Sequence, residues 1–224
     1  MRYSTILFGG IGTLVETSQI QLDAFNRAFA EIGVDFVWQA DDYQRSLIDA
    51  GGRRRLSKLD IGGGRFLSDE EIADIHAAKT RLFNERIIAD GLSLRPGVAE
   101  LLAAAGDRGL KRGWVTTTAT ENIEAICRAV GRPLSLDMFD YVGHTASVDN
   151  GKPAPDIYED ALAALEVDAG DTMAIEDSPT GVASAKAAGL FTLAYPGAMH
   201  AEHDFSGADQ RVDSLSHAGT LLAD

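Results

Sequence analysis

Hydrophobic and polar positions along the 224-residue chain follow two rhythms, and the places where one gives way to the other outline the fold. The stretch STILFGG, residues 4–10, is a short apolar run broken by glycine, which reads as a buried strand feeding a tight turn. From 17 to 33 the period becomes helical. Ile20, Ala24, Phe25, Ala28, Phe29 and Ile32 share one face, and Gly33 ends it. A second helix is expected over 40–50, running into GGRRRL, and a polar, glycine-rich piece, DIGGGRF, follows. The segment LSDEEIADIHAAKTRLFNERIIA then predicts a long helix, with Ser68 and Glu71 at capping-box spacing. Residues 17–90 thus read as helical throughout, without a strand.

Past LRPGV, residues 94–98, helices and strands alternate. Helices are expected over 97–108, 120–130, 154–165, 179–188 and 214–222, and strands at LKRGWVTTT, MFDYVGH, TMAIEDS and LFTLAYPG. Alternation of this kind builds parallel βαβ units, hence an α/β fold with a doubly wound, Rossmann-like parallel sheet. Residues 1–16 and 91–224 are expected to form that core, and 17–90 a helical cap inserted after the first strand.

Net charge is −14, which argues against nucleic acid or an anionic membrane as partner, because the long-range field repels polyanions. Cys127 is the sole cysteine, so no intrachain disulfide and no thiolate metal cluster can form; a single buried cysteine is expected. The N-terminal MRYSTILFGG is too poor in apolar residues for a signal peptide, and no apolar run approaches the ~18 residues of a membrane span. A cytoplasmic protein is expected.

Ligands of such sheets bind at the carboxyl ends of the strands. There the chain offers Thr116, Thr117 and Thr118, a hydroxyl-and-amide cradle for an oxyanion or simply three β-formers. Lys152, in GKPAPD, is flanked by backbone-restricting residues that leave its ammonium free to point into a cleft, unless it is merely solvated. Glu176 and Asp177 close an apolar strand, where carboxylates ligate a hard cation such as Mg²⁺ or accept a turn's amide hydrogens. Taken together in this order, the groups describe a phosphate-plus-magnesium site.

The layout resembles the haloacid dehalogenase-like hydrolases, whose motifs run hydrophobic-DxDGT[LV], hydrophobic-[ST], K and ED. This chain reads FGGIGTL, VT, K and ED. Within that superfamily it is most similar to the branch of β-phosphoglucomutase and the Calvin-cycle-associated sugar-bisphosphate phosphatases, through LVETSQIQLDAFNRAFAEIGV, AGGRRRL, TTTATENIEAI, KPAPDIYEDAL and IEDSPTGVASAKAAG. The resemblance spans essentially the whole chain. It implies phosphomonoester hydrolysis assisted by Mg²⁺, with a small phosphorylated metabolite, a sugar phosphate, as ligand.

In that family the first aspartate of DxD attacks phosphorus and ligates the metal, and the second is the general acid and base. Their positions here are Gly9 and Ile11. A histidine and an acid of the first cap helix are matched by Gln21 and Ser18, and the cap turn GGKERI by GGRRRL, so that Arg53 replaces lysine, Arg54 replaces the acid and Arg55 is kept. Acids and titratable groups are lost while groups suited to binding anions stay. Thr116 and Lys152 remain of the catalytic set, Arg53, Arg55, Gln21, Thr117 and Thr118 of the substrate set, and Asp177 with a weaker Glu176 of the metal set. Three readings stay open: a silenced phosphatase that still binds a sugar phosphate; an active phosphohydrolase rescued by another carboxylate, with Glu16 and Asp177 nearest in sequence; and a non-enzymatic protein that binds an unidentified partner.

Overall fold

The structure is a computed structural model that describes residues 3–49 and 51–216. Six strands, β1 (Thr5–Phe8), β2 (Lys111–Val115), β3 (Tyr141–Gly143), β4 (Thr172–Glu176), β5 (Phe191–Ala194) and β6 (Gln210–Arg211), form one sheet in the order β3-β2-β1-β4-β5-β6. Every neighbouring pair is parallel. Because side chains alternate across a strand, the two faces of the sheet are built from interleaved positions. Ile6, Phe8, Trp114, Met173 and Ile175 face one way, under α6 (Val98–Asp107) and α7 (Thr120–Val130). Leu7, Val115 and Ala174 face the other, under α8 (Asp156–Leu165) and α9 (Pro179–Ala187). This is the doubly wound, Rossmann-like arrangement expected from the alternation of strands and helices. On the second face Gly113 is required by close packing, since a Cβ there would lie 2.6 Å from Cδ2 of Leu7.

After β1 the chain makes one helical turn, α1 (Ile11–Leu14), and then leaves the sheet layer. The excursion contains α2 (Ser18–Ile32), α3 (Ala40–Ser46), α4 (Gly52–Ser57) and α5 (Asp69–Asp90). Ser68 caps α5 as its spacing predicts: its Oγ accepts the Glu71 N–H at 3.2 Å while Glu71 Oε2 accepts the Ser68 N–H at 2.9 Å. α2 packs on α5, and beside them lies an aromatic cluster in which Trp38 is 5.5 Å from Phe25 and 5.2 Å from Tyr43. Asn26 fixes the irregular segment carrying Trp38 by exchanging two hydrogen bonds with its backbone, at 2.8 and 3.0 Å. The far half of α5 packs on α7, so this helical insert leans on the sheet domain.

The outgoing and returning linkers pair through an antiparallel bridge between Val15 and Leu94. Arg95 then donates to the carbonyls of Gly12 at 2.6 Å, Tyr195 at 3.0 Å and Pro196 at 2.6 Å, with its guanidinium 3.5 Å from the centre of the Tyr195 ring.

Some boundaries differ from the sequence reading. The helix expected over 40–50 ends at Ser46, and GGRRRL starts a separate short helix after Gly51, whose φ of +88° turns the chain. β2 stops at Val115, leaving the threonines in the turn to α7. Residues 136–138 form a 3₁₀ turn, which shortens the strand expected at MFDYVGH. Gln210–Arg211, an exposed dipeptide, adds an unforeseen edge strand. The helix expected over 214–222 falls largely outside the described residues, and 214–216 are not helical. Among the described residues no helix is long and apolar enough to cross a membrane.

Candidate active site

A cavity of about 710 Å³ opens at the carboxyl ends of β1, β2 and β4. The sheet side contributes Gly10, Ile11, the turn Thr116–Thr118, Lys152, Glu176 and Asp177; the insert faces it with Gln21 from α2, Arg53–Arg55 from α4, and His76 and Lys79 from α5. Most residues singled out on sequence therefore converge on one cavity; Gly9, which is buried, Glu16 and Ser18 do not line it.

Gly9 continues β1 and donates its N–H to the Ile175 carbonyl at 2.8 Å, so this amide is not available to a ligand. A Cβ at position 9 would meet the Glu176 carboxyl group, 2.3 Å from its carbon and 2.4 and 2.5 Å from its oxygens. The carboxylate of Glu176 thus occupies the space in which any side chain at 9 would begin. Two donors hold it there: Lys152 Nζ at 2.5 Å and the Tyr158 hydroxyl at 2.6 Å. Lys152 gives a second proton to the Val115 carbonyl at 2.9 Å and is nearly buried. Its ammonium is therefore not free in the cleft, contrary to the expectation from GKPAPD; burial of the pair makes an internal counter-ion necessary. Burial raises the Glu176 carboxyl pKa, and the Lys152 ammonium opposes the shift.

Asp177, beside it, is partly buried. It accepts the Thr13 hydroxyl at 3.0 Å, and desolvation raises its pKa against the pull of Lys152. Ile11 heads α1 and packs its apolar side chain partly against the core beside these groups. Thr116 is buried with its Oγ accepting the Thr118 N–H at 3.2 Å, and Thr118 Oγ1 accepts from Asn122 at 2.9 Å, so the turn is organised from within. Glu176 and Asp177 are the carboxylates lining the cavity, and among the described residues no group of three His, Cys, Asp or Glu could hold a metal ion. With one of the two carboxylates locked in an ion pair, this donor set does not fit a resident Mg²⁺, which demands near-octahedral oxygen ligation.

Glu16 does not line the cavity. Its carboxylate accepts the N–H of Ser18 at 2.8 Å and of Ala198 at 2.6 Å. Burial works against its charge, but those amide donors prevail and lower its pKa. Ser18, at the head of α2, turns its amide to Glu16 and is likewise absent from the lining.

The insert side has the opposite character. Lys79 is 6% exposed and donates to Gln21 Oε1, with its ammonium 5.1 Å from the centre of the Phe25 ring and 5.0 Å from that of Phe83. Burial, with Arg55 adding to it, brings its pKa down to about 7. Arg55 reaches the Asp49 carbonyl at 3.1 Å and leaves its buried Nε without a partner. Arg54 is paired with Asp49 at 3.3 Å. Beside them His76 is pushed down to about 4, by burial and then by Lys79, Arg53 and Arg55.

His76, Lys79, Asn122 and His200 were not anticipated. Lys79 left a signal: it interrupts the apolar stripe of α5 between Ile75 and Leu82, where a lysine must find a cavity or a counter-ion. His200, in the loop after β5, left none; its ring is 8% exposed and is lowered to about 4, by burial first and then by His203, whose Nδ1 lies 2.9 Å from its own.

Comparison with known proteins agrees with this architecture. The model of the haloacid dehalogenase-like hydrolase family matches residues 3–189. The protein CbbY of Rhodobacter capsulatus is 39% identical over 220 residues, covering 98% of this chain and 97% of that one. Two crystal structures of CbbY from Rhodobacter sphaeroides, one in complex with phosphate and one of a mutant in complex with xylulose-(1,5)bisphosphate, each superpose with a TM-score of 0.87 at 38% identity, covering 97% of this chain and 98% of theirs. The chain belongs to the haloacid dehalogenase-like hydrolase family, in its sugar-phosphate phosphatase branch.

Proposed function

We propose that this haloacid dehalogenase-like hydrolase binds a sugar phosphate between its sheet and its helical insert, which acts as a cap, and that its phosphatase chemistry is silenced. The reading is carried by one observation. The turn after β1 offers neither a nucleophile nor a proton carrier, because Gly9 has no side chain and Ile11 presents hydrocarbon. Losing one residue of a covalent mechanism can cost ~10⁴–10⁶ in rate, and residues that act as a unit do not cost additively. The remaining carboxylates do not replace them: Glu16 is tied to two amides away from the cavity, Asp177 holds Thr13, and Glu176 is the counter-ion of Lys152.

Binding is supported by what the cavity keeps. Hydroxyls and amides of Thr116–Thr118 line one wall, and Arg53, Arg55 and Lys79 line the other. Guanidinium groups match phosphate oxygens in pairs, and a buried lysine gains from an anion brought beside it. The related CbbY structures hold phosphate and a sugar bisphosphate, which favours the same ligand class here. No step of the proposal passes through Mg²⁺.

The test is phosphate release from a panel of sugar mono- and bisphosphates with Mg²⁺, alongside calorimetric binding. The expected result is binding without turnover by the natural chain, and turnover by the Gly9→Asp/Ile11→Asp variant. Phosphate release by the natural chain at an ordinary enzymatic rate of ~1 s⁻¹ or more would refute silencing.

A further inference from the structure

We propose that His200 and His203, in the loop after β5, form a chelating pair for a divalent transition-metal ion of tetragonal preference, Cu²⁺ or Ni²⁺, held through their two Nδ1 atoms. The pair uses neither carboxylate of the strand ends, and it does not depend on what fills the cavity.

The two Nδ1 atoms lie 2.9 Å apart. Two bare lone pairs at that distance repel, so either a shared proton or a cation belongs between them. With metal–imidazole bonds of about 2.0–2.1 Å, a chord of 2.9 Å corresponds to a nitrogen–metal–nitrogen angle of about 90°. A tetrahedral ion needs the nitrogens about 3.3 Å apart, whereas about 90° is the cis angle of tetragonal Cu²⁺ or Ni²⁺. On binding, the ring that carries its proton on Nδ1 takes it on Nε2 instead. Both Nδ1 lone pairs then face the ion, and no net proton is lost.

The turn sets this bite before any ion arrives. His200 donates its N–H to the Gly197 carbonyl at 2.9 Å, and His203 donates its own to the His200 carbonyl at 2.9 Å. The loop is pinned on either side by the Ala198 N–H on Glu16, by Arg211 on the Ala201 carbonyl and by the buried Phe205. The Cδ2 edge of His200 is turned to Gly197, where a Cβ would lie 3.7 Å from it and 3.7 Å from Asp177 Oδ2. Nδ1, on the other side of the ring, is thereby left to His203. Burial, and then His203, brings the His200 pKa down to about 4, so its imidazole is neutral at pH 7, the form that ligates metals. Of the charges acting on it, Glu16 and Glu176 favour a cation and Arg55 opposes one. His203 is only half-buried, so water completes the ion's coordination; among the described residues no third His, Cys, Asp or Glu joins the pair.

The experiment strips the full chain of metal with EDTA and titrates it at pH 7 with CuCl₂ and with NiCl₂ by calorimetry, recording the electron paramagnetic resonance spectrum of bound Cu²⁺. One ion per chain is expected, with a tetragonal spectrum split by two nitrogens, and Ni²⁺ should raise the melting temperature. His203→Ala, at a half-buried position outside the core, should weaken binding at least tenfold, abolish the two-nitrogen pattern and remove the thermal shift. His144→Ala should change the affinity less than twofold. Should His203→Ala fail to fold, His203→Gln and the wild-type spectrum decide. Binding that survives the loss of His203 unchanged, or that shows no saturable step at one ion, is adventitious and overturns the proposal. Absence of binding also overturns it, and the pair is then a hydrogen bond only.

Discussion

Replacing Lys79 with methionine should make the protein more stable while weakening its grip on anions. The side chain is 6% exposed, with an amide oxygen and two aromatic faces as its surroundings, and its pKa falls from 10.5 to about 7. At ~1.36 kcal/mol per tenfold change in proton affinity, the charged form is disfavoured in the fold by roughly 5 kcal/mol. Between pH 7 and 10.5 the unfolded chain binds more protons at this site than the folded one, so stability rises with pH across that window. The cost is about 4 kcal/mol at pH 7 and about 2 kcal/mol at pH 9. Methionine fills a similar volume without charge. After the loss of the Gln21 hydrogen bond and the ring contacts, the variant should gain about 2 kcal/mol at pH 7. The two tryptophans sit in different layers, Trp38 in the insert and Trp114 in the sheet. Urea unfolding read by Trp38 fluorescence in a Trp114→Phe background therefore reports on the layer that holds Lys79. Wild type should gain about 2 kcal/mol from pH 7 to pH 9 relative to Lys79→Met. Equal pH slopes in the two proteins, or a variant less stable at pH 7, would refute the reasoning.

Further outcomes follow from the sheet side. Gly9→Ala should lower stability by about 1–3 kcal/mol, because its Cβ collides with a Glu176 carboxyl pinned by two donors; the loss should shrink in a Glu176→Ala background, as thermal melts will read. Lys152→Met strands a buried carboxylate and should cost about 3–5 kcal/mol, most of it recovered in Lys152→Met/Glu176→Leu, a double-mutant cycle by chemical denaturation. Arg95→Leu strips donors from three carbonyls and should cost about 3 kcal/mol in the same assay, with a Tm drop shared by the loops after β1 and β5 under hydrogen exchange.

The doubly wound sheet was legible because its strands are short apolar runs set between helical periods, and strand ends in such a sheet fall on one edge. That placed Thr116, Lys152 and Asp177 together from order alone. What the linear pattern could not carry was pairing. Nothing in GKPAPD or AIEDS says that Lys152 is consumed by Glu176, whose carboxyl group fills the space that Gly9 leaves open. The cationic wall was half visible in GGRRRL; Lys79 and His76 were hidden inside a helix whose apolar face drew attention to its core-forming residues. The extra strand Gln210–Arg211 was illegible because an edge dipeptide has no periodicity to read.

The bridge between Val15 and Leu94 means that the insert's entrance and exit share a single rung. An excursion that begins and ends at one point adds nothing to the span the sheet must close. A chain with 16–93 excised and a short glycine-serine turn in their place faces almost the same loop-closure entropy as a hairpin. The surface uncovered would be the flank of α7 on which α5 rests. In architectural terms the insert is a detour from the sheet, entered and left through one pair of residues.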